Sequence, residues 1–143
     1  MRLRSTRLFT ALLLACCATL AQADDLVVVV SARSQIESLR PEQVAAIFLG
    51  QTARFPNGAV ATALDQPIGS EVRDQFYTRV TGKTPALLKA HWSKMVFTGR
   101  GQPPRELAGS AAVRKAVADD PNLIGYIGRE ALDPTVRPVL LVH

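Results

Sequence analysis

The sequence predicts an α/β domain in which a mostly parallel or mixed sheet is flanked by helices. Apolar runs at residues 26–30, 59–64, 123–127 and 136–142 have the length and β-branched content of strands. Segments with helical apolar spacing lie between them, opened by Pro, Ser or Thr and closed by Gly or, for the last, by Asp119-Asp120-Pro121-Asn122. Strands alternating with helices favour parallel pairing in one sheet.

Residues 26–30, Leu-Val-Val-Val-Val, form an unbroken apolar run, the pattern of a strand buried on both faces. Pro41 at a first helical position, followed by Val44, Ala45, Ile47 and Phe48, predicts a short helix that Gly50 stops. Pro56-Asn57-Gly58 is a turn, and residues 59–64 follow as a second strand. Gly69-Ser70 then opens a helix in which Val72, Phe76 and Val80 recur every four residues before Gly82. Thr84-Pro85 opens the next helix, whose Leu87, Leu88, Trp92, Met95 and Val96 form one broad stripe before Gly99. Residues 99–104 read as a loop rich in Gly, Pro and Arg. A further helix spans 110–118 with Ala112, Val113, Ala116 and Val117 inward, and the last two strands complete the domain.

The first two dozen residues have a different character. Arg2, Arg4 and Arg7 precede an apolar stretch that closes on Ala21-Gln22-Ala23, the pattern of a secretory signal peptide over residues 1–23, with the domain at 24–143. Fourteen mostly apolar residues make a helix of about 21 Å, short of the ~30 Å hydrocarbon core, so no integral span is expected after cleavage. The expected location is periplasmic. Leu13-Leu14-Ala15-Cys16 has a loose lipobox likeness, which leaves lipid anchoring as an alternative. Removing the three arginines lowers the formal charge from +5 to +2 and takes Cys16 and Cys17 with it. The remaining chain then has no disulfide, no thiol nucleophile and no thiolate metal site. A modest charge and 6% aromatic residues argue against a nucleic-acid partner, which needs a basic face or a row of stacking rings.

Little points to catalysis. His91 sits in an apolar helix stripe beside Trp92, and His143 is the last residue. Ile68 stands where a nucleophile elbow at Ser70 would need glycine. Two histidines and scattered carboxylates give no metal pattern, so the expectation is a non-enzyme without metal or cofactor. Anion binding has better support. A helix beginning after Ser70 aims the free N–H groups of Glu71, Val72 and Arg73 at one point, with the helix dipole favouring negative charge. Ser70 supplies a hydroxyl and Arg73 a cation; ordinary capping of the helix by Ser70 is the competing account. Arg100, in Gly99-Arg100-Gly101, is a further accessible cation without the lysine and spacing of a P-loop.

Taken in order, Leu39-Arg40-Pro41-Glu42-Gln43-Val44, Ile47-Phe48-Leu49-Gly50, Phe76-Tyr77, Phe97-Thr98-Gly99-Arg100-Gly101 and Ile124-Gly125-Tyr126-Ile127 resemble the phosphate ABC transporter substrate-binding protein family. The chain looks like a short, single-lobe member of that type 2 periplasmic-binding-protein-like group. The resemblance implies one lobe of a two-lobed clamp around an oxyanion, contacted in the family by a Ser-Gly-Thr segment at a helix N-terminus. The matching stretch is Ser70-Glu71-Val72, followed by Arg73. Serine is kept, whereas Glu71 replaces glycine with a carboxylate and Val72 replaces the threonine hydroxyl with an alkyl group. The implied ligand is phosphate or a similar small oxyanion. The implied partners are an ABC permease and a facing lobe from another protein or copy. The alternative is an interaction or sensor domain that retains the fold without binding phosphate.

Overall fold

The computed structural model describes residues 25–143. The expected signal peptide, its cleavage site, Cys16 and Cys17 lie outside the described residues. The central strand β1 (Leu26–Ser31) is buried along its whole length. It pairs antiparallel with β4 (Leu123–Gly128) on one side and β5 (Val136–Val142) on the other. Strand β2 (Thr62–Asp65) runs parallel to β4 and to the two-residue β3 (Arg105–Glu106), giving the order β3-β2-β4-β1-β5. The sheet is therefore mixed, with parallel pairing confined to the β3-β2-β4 side.

Both faces of the sheet are covered. Leu26, Val28 and Val30 join a core that includes Phe48, Phe76, Tyr77, Leu88, Trp92 and Tyr126, beneath helices α1 (Pro41–Phe48), α2 (Glu71–Thr81) and α3 (Pro85–Phe97). Val27 and Val29 face the other way and pack with Leu64, Val113, Val117, Ile127 and Val136 beneath α4 (Ser110–Asp119). Alternate residues of a strand point to opposite faces, so a strand covered on both sides needs an unbroken apolar run. Gly125 on β4 lets α4 approach closely: a Cβ there would collide with Val113. No described helix is long and apolar enough to cross a membrane.

Helix ends follow the sequence signals. Thr84 accepts from Leu87 N–H at 3.3 Å ahead of Pro85, and Gly82 closes α2 in the left-handed conformation, φ 71°. Four details differ from the sequence reading. The second strand starts at Thr62, because Arg54 and Val60 form an isolated bridge around the Pro56-Asn57-Gly58 turn and hold residues 59–60 in that hairpin. Residues 105–106, which carry no apolar signal, form the edge strand β3. Helix α2 buries Arg73, Phe76 and Tyr77, while Val72 and Val80 only flank the core. Its inward face is turned toward Arg73 and Tyr77 because a buried carboxylate receives both. Lastly, α3 buries Leu88 and Trp92 but leaves Leu87, Val96 and Phe97 exposed, Phe97 at 93%. This helix rests on α2 and on the chain after α1, where His91 meets the Leu49 carbonyl at 2.9 Å and Trp92 lies against Gly50, so only a narrow strip is covered.

Candidate functional site

Strand β2 ends on Asp65, 1% exposed, at the place where the chain leaves the sheet for α2. A carboxylate so deeply buried requires partners for its charge and its lone pairs. Four groups supply them. Tyr77 of α2 donates to Oδ2 at 2.8 Å, Tyr126 of β4 donates to Oδ1 through a very short bond, and the Gln66 N–H donates to Oδ1 at 2.8 Å. The Arg73 guanidinium reaches Oδ2 at 3.4 Å and lies over the Tyr77 ring, 5.1 Å from its centroid. Burial, then the adjacent Asp65 charge, push both phenols well above the ordinary tyrosine range, so they act as permanent donors.

Gln66 extends the network. Its side-chain amide donates to the Tyr126 carbonyl at 2.9 Å and to the Ser110 hydroxyl at 3.2 Å, and Ser110 also accepts from Gly128 N–H at 3.0 Å. Ile68 N–H donates to Glu106 of β3 at 2.7 Å, which pins the connection before α2. Gly69 adopts φ 87°, a left-handed conformation that glycine enters without strain, and turns the chain into the helix. The start of α2 is thus tied to β2, β3, β4 and α4, at the carboxyl end of the parallel strands, where open α/β sheets place their ligands.

Ser70 caps α2 by accepting from Arg73 N–H at 3.3 Å. That contact uses an oxygen lone pair and leaves the hydroxyl proton free to donate elsewhere. The N–H groups of Glu71 and Val72, at the first two helical positions, have no acceptor within the helix. The Glu71 carboxylate is exposed and accepts from Gln75 Nε2 at 3.1 Å, one turn along the same helix. Val72 packs its side chain against the core. Arg73 points inward to Asp65, which offsets its charge. Arg100 is exposed on the loop after α3, its N–H bonded to the Met95 carbonyl at 2.9 Å. The structure therefore gathers Ser70, Glu71, Val72 and Arg73 in one helical turn, with Arg100 outside the wall of the adjoining groove.

That groove, about 700 Å³, runs from Ile68, Gly69 and Arg73 along α3 past Ala86, Trp92 and Val96. Among the described residues no group of three or more His, Cys, Asp or Glu is placed to hold a metal ion. Asp65, Gln66 and Ser110 did not stand out in the sequence as site residues, and Tyr77 and Tyr126 appeared only within the segments that carry the family resemblance, with no role assigned to them. The local signal was an Asp closing an apolar run, and the partners that give it meaning lie up to 61 residues away.

These features, a mixed five-stranded sheet covered by helices on both faces with a helix start presented at the carboxyl end of its parallel strands, define an α/β fold. Solved structures with a similar fold include proteins described as phosphate-binding or phosphate-transport proteins. One is a Clostridium perfringens protein described as a phosphate ABC transporter substrate-binding protein with bound phosphate, at TM-score 0.65 and 21% identity over 81% of this chain and 44% of that one. An ABC-type phosphate transport receptor from Vibrio cholerae matches at TM-score 0.64 and 15% identity, over 81% of this chain and 45% of its own. PstS from Borrelia burgdorferi matches at TM-score 0.60 and 15% identity, over 83% and 46%. The chain thus spans less than half the length of these neighbours. No family model and no curated protein sequence matches the chain.

Proposed function

We propose that the chain is an exported solute-binding module that holds phosphate or a similar small oxyanion at the start of α2, in association with ABC-type import and without catalytic activity. One observation carries this reading. The helix start is rigidly mounted at the carboxyl edge of a sheet shared with phosphate-transport proteins, and it presents two amides and the Ser70 hydroxyl. Because Asp65 offsets Arg73, attraction for the anion comes chiefly from those neutral donors. A clamp with one wall also buries little of its ligand. Binding by the described lobe alone is expected to be weak and to tighten when a facing lobe supplies the second wall.

A second reading, an interaction or sensor domain that does not bind phosphate, is favoured by three features of the same turn. Glu71 places a carboxylate there, Val72 brings no hydroxyl, and Arg73 is already paired. Titration calorimetry of the purified protein against inorganic phosphate and sulfate separates the two. The solute-binding reading expects saturable heat that Ser70→Ala reduces. Silence at millimolar anion would leave the interaction reading. Intact mass of the exported protein tests cleavage after Ala23 against lipidation at Cys16.

A further inference from the structure

We propose that the outer face of α3, with the loop that follows it, docks on the surface of an anionic lipid bilayer. Charge is the first observation. Residues 75–105 hold six Lys or Arg (Arg79, Lys83, Lys89, Lys94, Arg100 and Arg105) and no Asp or Glu, whereas the rest of residues 24–143 holds eight Lys or Arg against twelve Asp or Glu. A nearly neutral domain is therefore strongly polarised, with α3 at its positive end, and such an end is drawn to a negative surface. Lys89, Lys94 and Arg100 are exposed, and among the described residues none of them has a carboxylate partner. Asp74 shares the groove wall with Lys89, on the flank of α3 that turns toward α2.

Apolar surface is the second observation. At about 100° per residue, Ala86, Ala90, Ser93 and Phe97 fall within about 40° of one line along α3, on the side away from the buried Leu88 and Trp92. Lys89 stands to one side of that line, and Leu87 and Lys94 to the other. Phe97 is 93% exposed and Leu87 55%. A phenyl ring held in water between lysines is the arrangement of helices that lie in the bilayer interface, where the ring enters the acyl boundary while the ammonium groups stay among the headgroups. The cations flank an apolar crest and form no pocket, so they select no fixed shape. A fluid layer of anionic headgroups needs none, whereas an acidic protein is met through fixed, hydrogen-bonded pairs.

The purified protein is sedimented with vesicles of phosphatidylcholine alone and of phosphatidylcholine with about one-third phosphatidylglycerol. Binding is expected on the anionic vesicles only, to be lost between about 0.05 M and 0.5 M salt, and to fall about tenfold in Phe97→Ser. Lys94→Glu and Lys115→Glu change the net charge equally, but Lys115 is exposed on α4, across the sheet from α3. Lys94→Glu is expected to weaken binding about tenfold or more, and Lys115→Glu less than about threefold. All three positions are exposed, so unchanged urea midpoints are expected and separate docking from folding. Equal losses for Lys94→Glu and Lys115→Glu, or full binding by Phe97→Ser, would overturn the assignment to α3. Equal binding to neutral vesicles would overturn the role of charge. Failure to bind anionic vesicles overturns the proposal outright, and capture of soluble poly-glutamate by the same protein would then make an acidic polypeptide the partner. None of these readouts involves Ser70, so the result stands apart from the anion titration.

Discussion

Asp65→Asn tests whether the buried carboxylate holds the site together. The substitution keeps the shape but removes the charge that faces Arg73, Tyr77 and Tyr126. At 3.4 Å and an effective dielectric of about 20, the Asp65–Arg73 attraction is about 5 kcal/mol before desolvation is counted. Desolvation of both ions cancels much of that, so the intact pair adds little net stability, but removing one partner leaves a buried guanidinium uncompensated, at a cost of about 3–5 kcal/mol. The two phenol bonds weaken as well, because a neutral amide oxygen is a poorer acceptor than a carboxylate. In urea, with a slope of about 1.5 kcal/mol/M for a domain of this size, the unfolding midpoint should fall by about 2–3 M. The control is Asp65→Asn combined with Arg73→Met, which removes the stranded cation and should recover part of the loss. A drop below about 1 kcal/mol for Asp65→Asn, or a double variant no better than the single, would refute the network as described.

Two further outcomes follow from the packing. Tyr77 and Tyr126 are the chain's only tyrosines, and both phenols are raised above their ordinary value by burial and by Asp65. Their contribution is fully present below pH ~10, where both folded and unfolded phenols are protonated, and is lost as pH rises, since the unfolded chain releases those protons first. Stability should fall by about 1.4 kcal/mol per pH unit per tyrosine above pH ~10, and phenolate absorbance should appear only with unfolding; a reversible native titration near pH 10 would contradict this. Gly125→Ala should destabilise by about 1–3 kcal/mol in thermal or urea unfolding, because the added methyl collides with Val113 across the β4–α4 contact. An unchanged midpoint there would show that α4 can shift at little cost.

The strands and helices that the sequence disclosed are those specified by local chemistry. The unbroken apolar run of β1 needs cover on two faces wherever it is placed, and Ser70, Thr84, Pro41, Pro85 and Gly82 act within one turn of their own backbone. What stayed hidden depends on partners far along the chain. Strand β3 exists only because Leu64 and Asp65 offer a register to Arg105 and Glu106. Periodicity suggested a Val72, Phe76 and Val80 face for α2, but apolar counting cannot anticipate an arginine and a tyrosine directed into the core by a carboxylate on a strand. The α3 stripe was misleading for the complementary reason: apolar residues show that a face can be buried, not that a neighbour is there to bury it.

The same carboxylate limits what the site can do. Asp65 fastens the end of β2 to α2 through Arg73 and Tyr77, to β4 through Tyr126 and, by way of Gln66, to Ser110 at the start of α4. Under the proposed anion-binding role, donors held this way would require little reorganisation when the anion arrives, so that pre-organisation rather than net charge would carry the affinity. Cancelling Arg73 inside the fold also removes the strongest long-range attraction for a small, fully hydrated ion.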